Sequence, residues 1–306
     1  MHAAILTAFL FACSAIFSQR ATRIFGSLAA NFYRLLGACA ILGLITWIAF
    51  PQSVHPELFW WFFLSGLVGF GIGDVGLFLA YPRLGSRLTL LIHFCVSTIT
   101  GALGDLLLLG IRLSWTEVGA AGLILSGLVV TLLSQRAGQQ RSGSLTAGVL
   151  FALLSAAGMG MGTALSHVAI DKAHALGMDT HGISQAWQRS TAGVLCGGLV
   201  YFLMRLAMQR LPAAARPKLE KPKSGCMAAF WLIGTMLFGP VIGVSCYQWA
   251  IMETGSSAIV LAVAATSTLI IMPLARWLEK DKPGWQQIAG TVLAVIGVGW
   301  LCWLRK

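Results

Sequence analysis

Ten apolar runs alternate with short polar breaks along the chain, at roughly 3–18, 28–49, 58–80, 88–110, 115–134, 146–168, 183–204, 226–251, 257–277 and 285–304, each near the ~20 residues that a helix needs to cross a bilayer. Only helices and closed barrels satisfy their backbone groups in lipid. Runs of this length have the helical solution, so the pattern predicts an all-α membrane protein with ten transmembrane helices. The breaks are short except for Arg205 to Ser224, which is rich in Pro, Lys and Arg. In the first run Leu10-Phe11-Ala12-Cys13 looks like a lipoprotein cleavage box. No basic segment precedes it, and the run has a counterpart later in the chain, so it is read as a mature span.

Composition strengthens this picture. The 306 residues are 57% hydrophobic and 10% charged, with a mean hydropathy of +0.81, whereas a soluble globular chain carries about 25% charged residues. Two soluble domains are excluded. The net charge of +11 is confined to the breaks, where topology signals belong. No basic domain exists to hold nucleic acid. Of the 21 Lys and Arg, 15 fall in the loops after spans 1, 3, 5, 7 and 9. The opposite side holds Arg112, Lys172, Arg305 and Lys306. The charge count therefore predicts that the odd loops are cytoplasmic and both termini outside. Seven cysteines, none in a C-x-x-C pair, read as small apolar packing residues and give no metal or cofactor site.

The chain also repeats itself. A shift of 170 aligns Trp61 with Trp231, Gly69 with Gly239, Gly73 with Gly243, Gly85-Ser86 with Gly255-Ser256, and Trp115 with Trp285. Upstream the offset falls to 155, where Arg34 meets Arg189. The reading is a first five-helix repeat over 1–134, a linker over 135–144 and a second repeat over 145–306. An odd number of spans per copy inverts the second relative to the first. Secondary transporters use this architecture and place a substrate site near the midplane, between the halves.

With these residues in view, the chain resembles the drug/metabolite transporter superfamily in its ten-span form, built from two inverted five-helix EamA-type repeats. The resemblance rests on Asn31-Phe32-Tyr33-Arg34-Leu35 and Gln185-Ala186-Trp187-Gln188-Arg189, and on the Ala-x-x-x-x-Gly-Ser junctions Ala80–Ser86 and Ala250–Ser256. It rests also on Pro273 followed by Trp277-Leu278-Glu279, and on Gly290 and Gly297. The first half departs from the second, with Leu109 facing Glu279 and Leu103 facing Pro273. Asp74 and Asp105 face Val244 and Ala275. The resemblance implies a small-metabolite carrier in the cytoplasmic (inner) membrane, commonly an exporter, with a central cavity walled by spans 1–4 and 6–9. It also implies cytoplasmic termini, against the charge count.

Ionisable groups inside spans are the leading candidate chemistry, because each costs several kcal/mol unless paired or hydrated. At ~1.5 Å per residue, Arg34 and Asp74 lie at similar depths toward one side, and Arg189 and Asp105 toward the other. Two pairs are expected, Arg34–Asp74 and Arg189–Asp105, serving gating or proton coupling. The candidate substrate cavity comprises Asn31, Tyr33, Thr89, His93, Ser97, Trp187, Gln188, Tyr247 and Gln248. Thr89, His93 and Ser97 share one helical face with Thr100. Aromatic walls with a few hydrogen-bonding groups suit a small amphipathic or cationic ligand. Gly71-x-Gly73-x-x-Gly76 lies within a span and reads as close helix packing, as do Gly69-x-x-x-Gly73, Gly239-x-x-x-Gly243, Gly158-x-x-x-Gly162 and Gly193-x-x-x-Gly197. No P-loop, H-E-x-x-H or G-x-S-x-G occurs, so no enzyme is expected. The expected partners are a small-molecule substrate, protons as candidate coupling ion and membrane lipid, in a monomer or homodimer. The competing reading is a lipid-handling, flippase-like or accessory subunit of the same fold, and behind it a membrane-embedded enzyme, which would need clustered acidic or His residues at one interface.

Overall fold

The structure, a computed structural model, describes residues 2–111, 114–134, 144–210, 224–278 and 284–304. Residues 135–143 of the expected linker, most of the connector after Arg205, and Arg112, Glu279, Arg305 and Lys306 lie outside these residues, while Ser144, the last linker residue, is described. Ten helical segments follow one another: α1 (His2–Phe25), α2 (Ser27–Ala49), α3 (Pro56–Leu84), α4 (Ser86–Leu109), α5 (Trp115–Leu133), α6 (Leu145–Ala175), α7 (Gly182–Gln209), α8 (Gly225–Thr254), α9 (Ser257–Leu278) and α10 (Trp285–Leu304). Each holds one of the ten apolar runs. Eight are long and apolar enough to cross a membrane, and α5 and α10 contain shorter apolar stretches, Val118–Leu133 and Trp285–Leu301. No strand occurs among the described residues.

Several helices outrun their apolar stretches. α1 continues through Arg20 to Phe25, and α6 runs 31 residues to Ala175. Backbone hydrogen bonding continues wherever no Gly or Pro interrupts it. The ends follow local chemistry. Ser144, Ser224 and Ser256 accept hydrogen bonds from the backbone N–H three residues on, capping α6, α8 and α9. Pro56 occupies the first turn of α3, where its missing N–H costs nothing.

Single glycines join α1 to α2 and α3 to α4. Gly26 sits at φ 82° and ψ 154°, Gly85 at φ 80° and ψ 167°. That region is essentially closed to residues with a Cβ. Gly85→Ala is therefore expected to cost about 1–3 kcal/mol, read as a lowered unfolding midpoint. An unchanged midpoint would mean that the junction has another conformation.

Both halves carry a widened helical turn at the same repeat position. In α3 a π-type turn spans Leu67–Gly73, and in α8 one spans Leu237–Val241. Their first residues are 170 apart, the offset found in the sequence. Pro240 removes a donor in the second turn. The first contains no proline, so what the two turns share by position is the leucine that opens each and the glycine two residues on, Gly69 and Gly239.

The glycines bring backbones together. A Cβ on Gly158 would lie 2.7 Å from Gly73 Cα, and one on Gly162 would lie 3.1 Å from Gly69 Cα. The small-residue faces expected on spans 3 and 6 thus pack directly on each other. Ser65 Oγ donates to Gly162 O across this seam at 2.5 Å. The face of α8 meets side chains instead: a Cβ on Gly239 would lie 2.8 Å from Ser14 Oγ.

Packing follows the inverted repeat. α2 packs on α7, α4 on α9, and α5 on α10, each against its own counterpart. α3 packs on α6 and α7, while α8 packs on α1 and α2. The core therefore lies between repeats, with α5 and α10 paired at the side.

Candidate functional site

Arg34 is the natural place to begin, because a guanidinium inside a span must find partners. It is 5% exposed on α2. Nη2 donates to the carboxylate of Asp74 on α3, an ion pair between two buried side chains, and lies 3.3 Å from Asn31 Oδ1. The guanidinium also stacks over Phe78, 4.7 Å from its centroid. It reaches the α8 π turn, where a Cβ on Gly239 would lie 3.0 Å from Nη1. The expected Arg34–Asp74 pair is present.

A cavity of about 50 Å³ opens beside this pair. It is lined from both halves, by Phe11 and Ser14 of α1, Arg34, Phe70, Asp74, Leu77 and Tyr81 of α2 and α3, Leu90, His93 and Phe94 of α4, Met159 of α6, and Gly239 and Val244 of α8. A buried water needs about 10–15 Å³ measured this way. The space suits a few waters, not an organic solute.

His93 enters the cavity from α4, as the polar stripe suggested, and its Nδ1 lies 2.9 Å from Ser155 Oγ on α6. Its stripe neighbours behave differently. Thr89 is buried with no partner for Oγ1, and Ser97 turns back to donate to Phe94 O at 3.0 Å.

The second pair expected from depth, Arg189 with Asp105, does not form. Asp105 is fully buried and meets His167 Nδ1 at 3.3 Å. The other ring nitrogen lies 3.6 Å from Asp171, which is half exposed. Arg189 meets neutral groups: Nη1 donates to Gln248 Oε1 at 2.6 Å and to Ser166 Oγ at 3.1 Å. Depth along a helix says nothing of which neighbour its face meets. α4 packs on α6 and α9, whereas α7 packs on α2, α3 and α8, so the two helices are not neighbours.

The remaining candidates separate by location. Tyr247 is fully buried and its hydroxyl bonds Thr163 at 2.6 Å. Gln248 extends the Arg189 network, with Nε2 donating to Gln185 Oε1 and Ser166 Oγ at 3.2 Å each. Gln188 is buried and its Oε1 lacks a partner. Trp187 packs edge-on against Trp47, centroids 5.8 Å apart, away from the cavity. Tyr33 is 38% exposed and meets Tyr201 on the outer surface. Outside the spans, His181 caps α7 and stacks on Phe50 at 3.8 Å, and burial lowers its pKa.

Sequence reasoning missed Phe70, Phe11 and Phe94, the three phenylalanines of the cavity wall. The signal for Phe70 was available, since it sits within Gly69-Phe70-Gly71 at the π turn.

A family model described as the EamA-like transporter family matches residues 1–133 and, separately, 146–303. The chain belongs to the EamA-like transporter family. α1–α5 fall in the first EamA match and α6–α10 essentially in the second, so the two-repeat, ten-helix architecture stands on the family match and on the structure together. This is a family of transporters. No curated protein sequence matches the chain. Among solved structures, one crystal structure is similar over 99% of this chain and 96% of its own, with a TM-score of 0.63 and 17% identity. At that identity the likeness speaks for the EamA fold alone.

Proposed function

We propose that this EamA chain is a secondary carrier that exports a small organic solute across the cytoplasmic membrane by alternating access. The observation that carries the reading is a small cavity between the repeats, holding the Arg34–Asp74 pair and His93 among aromatic walls. Side chains lining it come from α1–α4, α6 and α8, the helices that an inverted-repeat carrier moves against each other. The absence of a P-loop from the full sequence fits transport driven by a gradient. Asp74 is the coupling carboxylate: buried in the cavity wall and tied to Arg34, it exchanges its proton against the solute.

A thermal-shift screen of amino acids, nucleosides, sugars, polyamines and lipid head groups identifies a ligand, because binding to the folded state raises the melting point. The hit is then tested by counterflow in proteoliposomes. Exchange of labelled solute supports the carrier. A shift with lipid alone, without exchange of any solute, overturns it in favour of lipid handling. Asp74→Asn separates the two parts of the mechanism. The variant is expected to retain counterflow and to lose accumulation driven by a pH gradient. Undiminished gradient-driven uptake would remove Asp74 from the coupling role.

A further inference from the structure

The two arginines occupy equivalent repeat positions in opposite electrostatic circumstances. Arg34 has Asp74. At the position equivalent to Asp74, the second half has Val244. Arg189 is fully buried, and no carboxylate lies within ion-pair distance of it among the described residues. Its hydrogen-bond acceptors, Ser166 and Gln248, are neutral, and both Nε and Nη2 have no hydrogen-bond partner. Asp74, already paired with Arg34, acts on Arg189 only from a distance, and a guanidinium in a membrane interior without a carboxylate of its own is costly and marks a substrate or ion pathway by default. Its unused donors form a planar fork suited to a carboxylate.

The position connects this charge to the cavity. Nη2 lies over the α3 π turn, where a Cβ on Gly69 would approach it to 3.0 Å. The guanidinium stands 5.2 Å from the centroid of Phe70, the same ring that lines the cavity. Phe70 thus touches both the cavity and the uncompensated cation. Displacing that ring joins the two.

From this we infer that the transported solute is anionic, carrying a carboxylate, and that Arg189 is its charge partner once Phe70 moves aside. The inference rests on the carrier reading and gives it a substrate class. It reverses the expectation drawn from aromatic residues alone. Arg34 and Arg189 both feel the single carboxylate of Asp74, and one carboxylate cannot balance two guanidiniums, so one positive charge is left over beside the cavity.

The test uses matched pairs, organic acids and their primary amides, in thermal-shift titrations of the purified full chain. Sodium chloride is titrated in a separate arm. The acids are expected to raise the melting point by a few degrees and the amides not to. The response is expected to vanish in Arg189→Gln and to weaken without vanishing in Arg189→Lys, which keeps the charge and loses the fork. Val244→Asp covers the case in which Arg189→Gln does not fold. Val244 lines the cavity one turn before Gln248 on α8, at the repeat position of Asp74, so a carboxylate there would add a second negative charge for the two guanidiniums. This variant is expected to melt higher without ligand and to lose the acid response. A chloride response equal to that of the acids, and lost in Val244→Asp, overturns the organic carboxylate in favour of an inorganic anion. Equal shifts by acids and amides, or an acid response undiminished in Val244→Asp, overturn the anion assignment and leave the carrier standing. If no solute of any charge shifts the protein or exchanges in counterflow, both fall together.

Discussion

Gly66→Ala is expected to prevent stable assembly of the two repeats. A Cβ on Gly66 would lie 2.5 Å from Arg189 Cα, 2.6 Å from its carbonyl carbon and closer still to the oxygen. These are backbone atoms of α7, so no rotamer change relieves the clash. α3 and α7 must separate, and separation removes the contacts that hold Arg189 on its acceptors. Overpacking in a rigid core costs about 1–3 kcal/mol, and a clash between two helix backbones belongs at or beyond the upper end. The measurement is the unfolding midpoint in detergent beside Gly299→Ala, whose added Cβ meets nothing within 4 Å. The control is expected to match or slightly exceed the parent, since alanine favours a helix over glycine by about 0.5–1 kcal/mol. Equal midpoints for the two variants would refute the close crossing of α3 and α7.

Asp74→Ala should produce the second large effect, by a different route. Removing one partner of a buried ion pair leaves the other charge stranded, at a cost of about 3–5 kcal/mol. Replacing both partners with apolar residues of similar volume is often neutral or better. The double variant Arg34→Met, Asp74→Leu is therefore expected to recover most of the lost stability while losing transport. A double variant as unstable as Asp74→Ala would show that Arg34 is needed for its other contacts, with Asn31 and Phe78, more than for its charge balance.

The fold was legible in the sequence because lipid imposes so few solutions. Ten apolar runs and an odd-numbered repeat left little choice of architecture, and the glycine pairs at Gly69/Gly73 and Gly158/Gly162 marked a helix crossing before any coordinates. The Arg34–Asp74 pair was legible too, since α2 and α3 are chain neighbours and matched depth nearly suffices. Arg189–Asp105 failed where helix adjacency had to be known. His167, the actual partner of Asp105, lies on a helix from the other repeat. The cavity wall was hidden for a related reason: Phe11, Phe70 and Phe94 resemble every other apolar residue in their runs, and only the three-dimensional arrangement turns those rings inward.

The difference between Asp74 and Val244 has an evolutionary consequence. Two identical five-helix units, inverted and packed face to face, would have treated their arginines alike. A chain assembled from two first repeats would bury two neutralised pairs, and one from two second repeats would strand two guanidiniums. Only the fused, diverged chain carries a single unbalanced charge. The two halves therefore present unequal charge to the space between them. Repeats that differ at this position are no longer interchangeable: neither half could be replaced by a second copy of the other without changing the charge of the core.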